Sequence, residues 1–319
     1  NAFDAFIGAP FFAGLTPEEQ KEAYNDATVV SQNAQHWPKV IEYGQKLEAI
    51  KGLDDLTMTM MAIAYYQQKD NANAEKYAQM ALDAAKAEGK SPQPNAQIIL
   101  GNIQGKTNPD AARKSVEAIV LNTNDPSDWS RLIDDALSQK ANSIDALYLY
   151  RLRNQVSAMQ KGDDYVIWGE LATQQKLDKE ALAAYDKGIS SGKLTSGQVG
   201  KAYATARNNA AQDAGVLSAA ASAASKSKRG EDALRVGEDY WGYGRYADAE
   251  TMARAALAKG VKDTGEANML LGASLVAQGK TAEAQTTFAK VSGNAVRSRA
   301  AHLWSLYAQV KAKGTSASQ

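Results

Sequence analysis

Apolar and polar residues along this chain alternate with a helical period, and the helical runs themselves recur about every 34 residues. Met58, Met61, Ala62 and Tyr65 fall at i, i+3, i+4 and i+7 and predict one amphipathic helix. Ala74, Ala78 and Ala81 repeat that spacing in the next run, and the polar stretch Gln67-Gln68-Lys69-Asp70 between them predicts a turn. Equivalent positions return at Val40, Ala74, Ala112, Ala146, Ala181, Ala214, Ala249 and Ala284, at intervals of 34, 38, 34, 35, 33, 35 and 35 residues. One helical hairpin of this size cannot bury its own apolar face and must lean on the next. The pattern therefore predicts an all-α chain: a right-handed α-solenoid of about eight hairpins, closed by a C-terminal capping helix over Val296 to Val310.

Local signals punctuate the array. Thr16-Pro17-Glu18-Glu19 predicts a capping box at the start of the first firm helix, with Pro17 at the position where a missing N–H costs nothing. Asn108 and Pro109 open the helix that holds Ala112 in the same manner. Gly244 and Gly279 stand where the chain turns between helices, glycine being cheap at positive φ. The expected organisation is an N-terminal arm over 1–15, a repeat array over 16–313 and a disordered tail over 314–319, the array's exit from Lys311 onward being polar and small.

Four of the hairpins carry a more specific pattern. They are Met61-Ala62, Tyr65, Ala74, Ala78, Ala81; Trp168-Gly169, Ala181, Tyr185, Gly188; Gly237, Tyr240, Gly244, Tyr246, Ala249, Ala253, Ala256; and Leu271-Gly272, Gly279, Ala284, Phe288. These resemble the tetratricopeptide repeat, and the resemblance extends over most of residues 17–313. The hairpins at Ala112, Ala146 and Ala214 are placed mainly by spacing. From Asp128-Trp129 through Tyr150-Arg151-Leu152 and Asp163-Asp164-Tyr165 to His302-Leu303-Trp304, the chain also resembles a group of exported proteobacterial tetratricopeptide proteins. That resemblance implies a periplasmic or secreted location, and a start at Asn1 rather than Met fits a leader already removed.

Charge and composition narrow the function classes. Lys+Arg and Asp+Glu both number 36, so a chain of 319 residues carries no net charge and has no global attraction for nucleic acid or anionic lipid. With 0 Cys there are no disulfides, thiolate metal sites or cysteine nucleophiles. No apolar run approaches the ~20 residues of a membrane span. Neither nucleic-acid binding nor membrane insertion is expected.

Motifs that imitate catalytic or nucleotide sites fail on context. Gly101-Asn102-Ile103-Gln104-Gly105-Lys106-Thr107 has three residues between its glycines where a phosphate loop needs four, and it follows a helix rather than a strand. Gly242-Tyr243-Gly244-Arg245-Tyr246-Ala247 has no βαβ unit around it and predicts an interhelix turn. The 2 His, His36 and His302, lie at opposite ends of the sequence, and the pairs Asp54-Asp55 and Asp163-Asp164 suit helix N-termini. No catalytic group, metal ligand or cofactor site is assigned, and the chain is expected to be non-enzymatic.

Two binding surfaces are expected instead. In tetratricopeptide proteins the first helix of each hairpin lines a concave groove. Carrying that over by register gives Thr59, Ile63, Tyr66 and Gln67; Val166, Glu170, Thr173 and Gln174; Leu234, Glu238 and Trp241; and Glu266 and Met269. Tyr66 and Trp241 are the expected anchors. The Lys, Asn and Arg with which this family clamps an acidic C-terminal tail are missing from these places, and an extended or basic peptide is the better guess. The second surface is the arm: four of the chain's 5 Phe, Phe3, Phe6, Phe11 and Phe12, lie in the first twelve residues with Ile7 and Leu15 beside them. Leaving all four in water would forgo roughly 6–12 kcal/mol. The arm therefore either covers the first hairpin or inserts into another copy, where a contact that does not close builds a filament. The leading expectation is a scaffold that binds a protein or peptide partner; the alternative is a subunit that stacks head to tail.

Overall fold

A computed structural model describes residues 2–105 and 108–316, which are all-α: seventeen α-helices and one 3-10 turn among the described residues. The chain forms two compact units, divided between Asn122 and Thr123.

Unit 1 opens with a short helix, α1 (Ala2–Ile7), and a 3-10 turn, Pro10–Gly14. Then follow α2 (Pro17–Asn33), α3 (Trp37–Ala49), α4 (Asp55–Gln67), α5 (Asn71–Ala87), α6 (Pro94–Gln104) and α7 (Pro109–Thr123). The predicted capping box is present: Glu19 N–H donates to Thr16 Oγ1, and Thr16 N–H donates to Glu19 Oε2 at 2.8 Å. From α2 to α6 each helix packs against the next, and α4 against α5 is the most extensive of these pairs in this unit. Close approach is secured by small residues. A Cβ at Gly44 of α3 would lie 2.5 Å from Met61 of α4, and Ala74, Ala78 and Ala81 of α5 are fully buried against Met61, Ala62 and Tyr65.

The arm folds back on unit 1. Phe12 is buried edge-on to Tyr24, and Asp4 Oδ1 accepts from Lys39 Nζ and Tyr43 OH, both at 2.6 Å. Those two donors hold the Asp4 carboxyl well below the usual carboxylate range. Phe3, Ile7 and Leu15 are half-buried, whereas Phe6 and Phe11 keep 42% and 56% of their surface in solvent.

Unit 2 comprises α8 (Pro126–Leu137), α9 (Ser143–Gln155), α10 (Gly162–Gln174), α11 (Asp178–Ser190), α12 (Ser196–Lys226), α13 (Gly230–Gly242), α14 (Tyr246–Lys259), α15 (Thr264–Ala277), α16 (Thr281–Phe288) and α17 (Ala295–Ser316). The pairs α10/α11, α13/α14 and α15/α16 follow the predicted register. Their first helices carry a glycine under an aromatic ring or a leucine of a neighbouring helix: Gly169 under Tyr185, Gly272 under Phe288, Gly237 against Leu270. Gly244 and Gly279 turn at φ 71° and 77°, as the sequence predicts.

Two features of unit 2 differ from the predicted array. The hairpin expected around Ala214 is one continuous helix of 31 residues. Between Ser196 and Lys226 there is no proline and no residue at positive φ, and alanine-rich sequence carries the helix straight through Gly215. Second, the last helix does not simply cap a free end. It packs against α8 and α9 as well as α15 and α16, and Trp304 is fully buried with its Nε1 donating to the Tyr148 carbonyl at 2.9 Å. Unit 2 thus closes, its last helix meeting its first pair. The helix also runs further than predicted, through Ser316; of the expected disordered tail, residues 317–319 lie outside the described residues.

Candidate binding clefts in unit 2

The closure of unit 2 is organised by α9, whose run Tyr148-Leu149-Tyr150-Arg151-Leu152-Arg153 is buried throughout, charges included. Arg151 reaches α11 and α13. Its Nε and Nη2 donate to Glu180 at 2.9 and 2.6 Å, and Nη2 pairs with Glu238 Oε2 at 2.7 Å. Trp168 Nε1 donates to Glu180 and Tyr148 OH to Glu238, at 2.9 and 2.5 Å, so both carboxylates are shared between an arginine and an aromatic donor. Arg153 ties α9 to Asp134 of α8 and Asp164 of α10. Arg297 of α17 closes the ring from the other side, pairing with Asp145 of α9 at 2.6 Å and Asp263, the N-cap of α15, at 2.5 Å. None of these roles was read from the sequence. The available signal was an arginine pair inside an otherwise apolar helical stretch, since a buried charge is tolerated only when paired.

On one side of this network, α13 and α15 border a cleft of about 310 Å³ with α9 and the α10–α11 turn. Its apolar part is Ile144, Leu177, Leu234 and Val261; its charged part is Glu231, Glu238, Asp263 and Glu266 against Arg235 and Lys262. Glu266 differs from the other three acids. Among the described residues its carboxylate accepts no hydrogen bond and forms no ion pair, whereas Asp263 holds Arg297, Glu238 holds Arg151 and Glu231 accepts from the Lys262 N–H at 3.2 Å. Burial, then the neighbouring charges of Glu238, Asp263 and Asp145, push Glu266 up to about 7, with Arg297 opposing. Asp239, one residue beyond Glu238, is pushed up to about 6 by burial, with Arg235 opposing.

A second cleft, of about 500 Å³, lies where α10 and α11 meet α12 and is bordered by Glu170, Thr173, Gln174, Asp178, Tyr185 and Lys201.

The predicted groove residues are thus distributed rather than gathered. Leu234, Glu238 and Glu266 share the first cleft, and Glu170, Thr173 and Gln174 share the second. Trp241 is no open anchor: it is buried between the Arg151 guanidinium, at 5.2 Å from its ring, and Trp304, at 6.1 Å. Met269 is buried in the core. On α13, Glu238 and Trp241 are covered by Arg151 of α9 and Trp304 of α17, whereas Glu170, Thr173 and Gln174 of α10 are exposed. In unit 1, Thr59 is buried with its hydroxyl on the Asp55 carbonyl, Ile63 and Tyr66 are half-buried in the α4–α5 core, and Gln67 is exposed. Of the imitated motifs, Gly101–Gln104 lie inside α6 rather than in a turn after it, Gly242 ends α13 just before the interhelix turn at Gly244, and Lys106 and Thr107 lie outside the described residues. His36 and His302 are exposed.

No family model and no curated protein matches this chain. Among solved structures it is similar to the TPR2AB domain in a complex with pHSP90, from yeast Sti1, at 12% identity and a TM-score of 0.25, covering 92% of this chain and 99% of that one.

Proposed function

We propose that the protein is a non-enzymatic binding scaffold whose unit 2 accepts an extended, basic segment of a protein partner in the cleft between α13 and α15. The observation that carries this reading is Glu266, a half-buried carboxylate with no cationic partner among the described residues, set among three other acids beside an apolar strip. A lysine or arginine side chain entering the cleft supplies the missing charge, and Leu234, Leu177 and Val261 receive its aliphatic stem. The helical-hairpin architecture supports a binding role, since stacked hairpins present extended surfaces rather than convergent catalytic groups.

The reading makes binding depend on pH. A cation in the cleft favours the ionised form of Glu266, so binding expels its proton and tightens as pH rises through 7. Titrating full-length protein with lysine-rich and glutamate-rich peptides at pH 6 and pH 8 tests it. The expected result is binding of the lysine-rich peptide, tighter at pH 8, with Glu266→Gln weakening it and removing the pH dependence. Equal binding of both peptides, or none of either, overturns the reading.

A second reading, self-association through the arm, is favoured by the exposure of Phe6 and Phe11 beside a cleft of about 560 Å³ bordered by Phe3, Phe6 and Leu15. Its test is the mass distribution over a concentration series. Polymers that vanish in a Phe6→Ser/Phe11→Ser variant support it, and a monomer at every concentration rejects it.

A further inference from the structure

Opposite the acidic cleft, the Arg151 network forms the floor of a second kind of cavity. It is about 220 Å³, below the range of roughly 300–1,000 Å³ typical of drug-sized ligands, and so suits a molecule of one ring with a substituent. Its walls are flat. Trp168, Trp241 and Tyr246 line it, the last two with ring centroids 4.9 Å apart. Its hydrogen-bonding groups lean towards donation. Arg151 is fully buried, and although Nε and Nη2 are taken by carboxylates, Nη1 is buried with no acceptor. At the mouth, Lys187 lies over the Trp168 ring, 5.7 Å from its centroid. Among the described residues Lys187 meets no carboxylate; its one hydrogen bond is to Asn154 Oδ1 at 3.1 Å. The carboxylates within reach are already committed, Glu180 to Arg151 and Trp168 and Glu238 to Arg151 and Tyr148.

We infer that this cavity is a binding site for a small planar carboxylate, its ring held among Trp168, Trp241 and Tyr246 and its oxygens facing the Lys187 ammonium and the free Arg151 N–H. Flat walls favour an aromatic body, because offset and edge-on ring contacts add to the burial of apolar surface. An ammonium that meets no carboxylate and one buried Arg151 N–H without an acceptor favour an anion over a cation or a neutral amine. The site is distinct from the acidic cleft in both position and the sign of the charge it accepts, so either can fail without the other.

Benzoate and benzamidine are probes of one shape and opposite charge. Each is titrated into full-length protein with calorimetry and tryptophan fluorescence as readouts. Benzoate is expected to bind saturably and benzamidine not at all. Lys187→Gln, at an exposed position, is expected to weaken benzoate by about tenfold, the loss of one charge-assisted hydrogen bond. Ala183→Leu, at the half-exposed rim, fills the cavity and is expected to abolish binding with the melting curve unchanged. Failure of benzoate to bind, equal binding of benzamidine, or benzoate binding indifferent to Lys187→Gln overturns the assignment.

Discussion

At the scale of single residues, unit 2 is governed by charges that are buried and matched. Arg151 neutralises parts of two carboxylates at once, so removing it strands both. Arg151→Met is expected to destabilise by about 3–5 kcal/mol, whereas the triple change Arg151→Met/Glu180→Gln/Glu238→Gln costs less, because no unpaired ion remains. Denaturant unfolding of the two variants separates these outcomes; equal losses would contradict the pairing argument. Glu266 gives the opposite case, a carboxyl that folding leaves without a partner. Its ordinary value is 4.5 and its folded value about 7, so between those values the folded state holds the extra proton. Stability therefore falls as pH rises through that window, by an amount on the order of 1–3 kcal/mol, and Asp239, raised to about 6, adds to the same limb. Glu266→Gln is expected to flatten this limb and to be more stable than the parent at pH 8. A stability curve that stays level between pH 5 and pH 8 contradicts the environment described for Glu266.

At the scale of elements, the turns decide where each helix stops. Most interhelix turns carry one residue at positive φ, glycine at Gly89, Gly192, Gly244, Gly260 and Gly279 but not at Gln35, Lys69, Ser157 or Lys176. A Cβ at Gly244 meets no atom within 4 Å, so Gly244→Ala isolates the backbone cost, about 1–2 kcal/mol of destabilisation. Gly215 also has open space around it, but it lies inside α12 without a positive φ. There alanine is the better residue, and Gly215→Ala is expected to stabilise by roughly 0.5–1 kcal/mol. Thermal melts of the two variants should therefore shift in opposite directions; a shift of the same sign would refute the helix–turn distinction drawn between the two sites.

At the scale of the whole of unit 2, closure by α17 sets it apart from an open repeat array, in which each hairpin contacts its neighbours alone. Trp304 touches Trp241, Phe288 and Tyr307 and bonds the Tyr148 carbonyl, 156 residues away in sequence. Trp304→Ala is expected to cost about 3–5 kcal/mol. Its signature is spatial: hydrogen exchange should accelerate in α8 and α9 as well as in α15–α17. Acceleration confined to α15–α17 would mean that the last helix acts as a simple cap.

Much of this was legible in the sequence because it depends on neighbours in the chain. The capping box at Thr16 and Glu19, the turns at Gly244 and Gly279, and the small residues Ala74, Ala249 and Ala284 follow from rules that act within a few residues or one repeat. So does the helical period. A hairpin at Ala214 rests on spacing alone, and no turn residue stands there to stop α12. What covers the inward face was not legible at all. Arg151, Glu180, Glu238 and Trp304 are separated by tens to more than a hundred residues, and no periodicity records which distant helix returns to meet them. The sequence by itself determined the helices and their local pairing. The tertiary structure alone decided that Arg151 of α9 and Trp304 of α17 would cover Glu238 and Trp241, and that Glu266 would be left as a carboxylate without a counter-charge, since desolvation and charge depend on what packs alongside rather than on what lies adjacent in the chain.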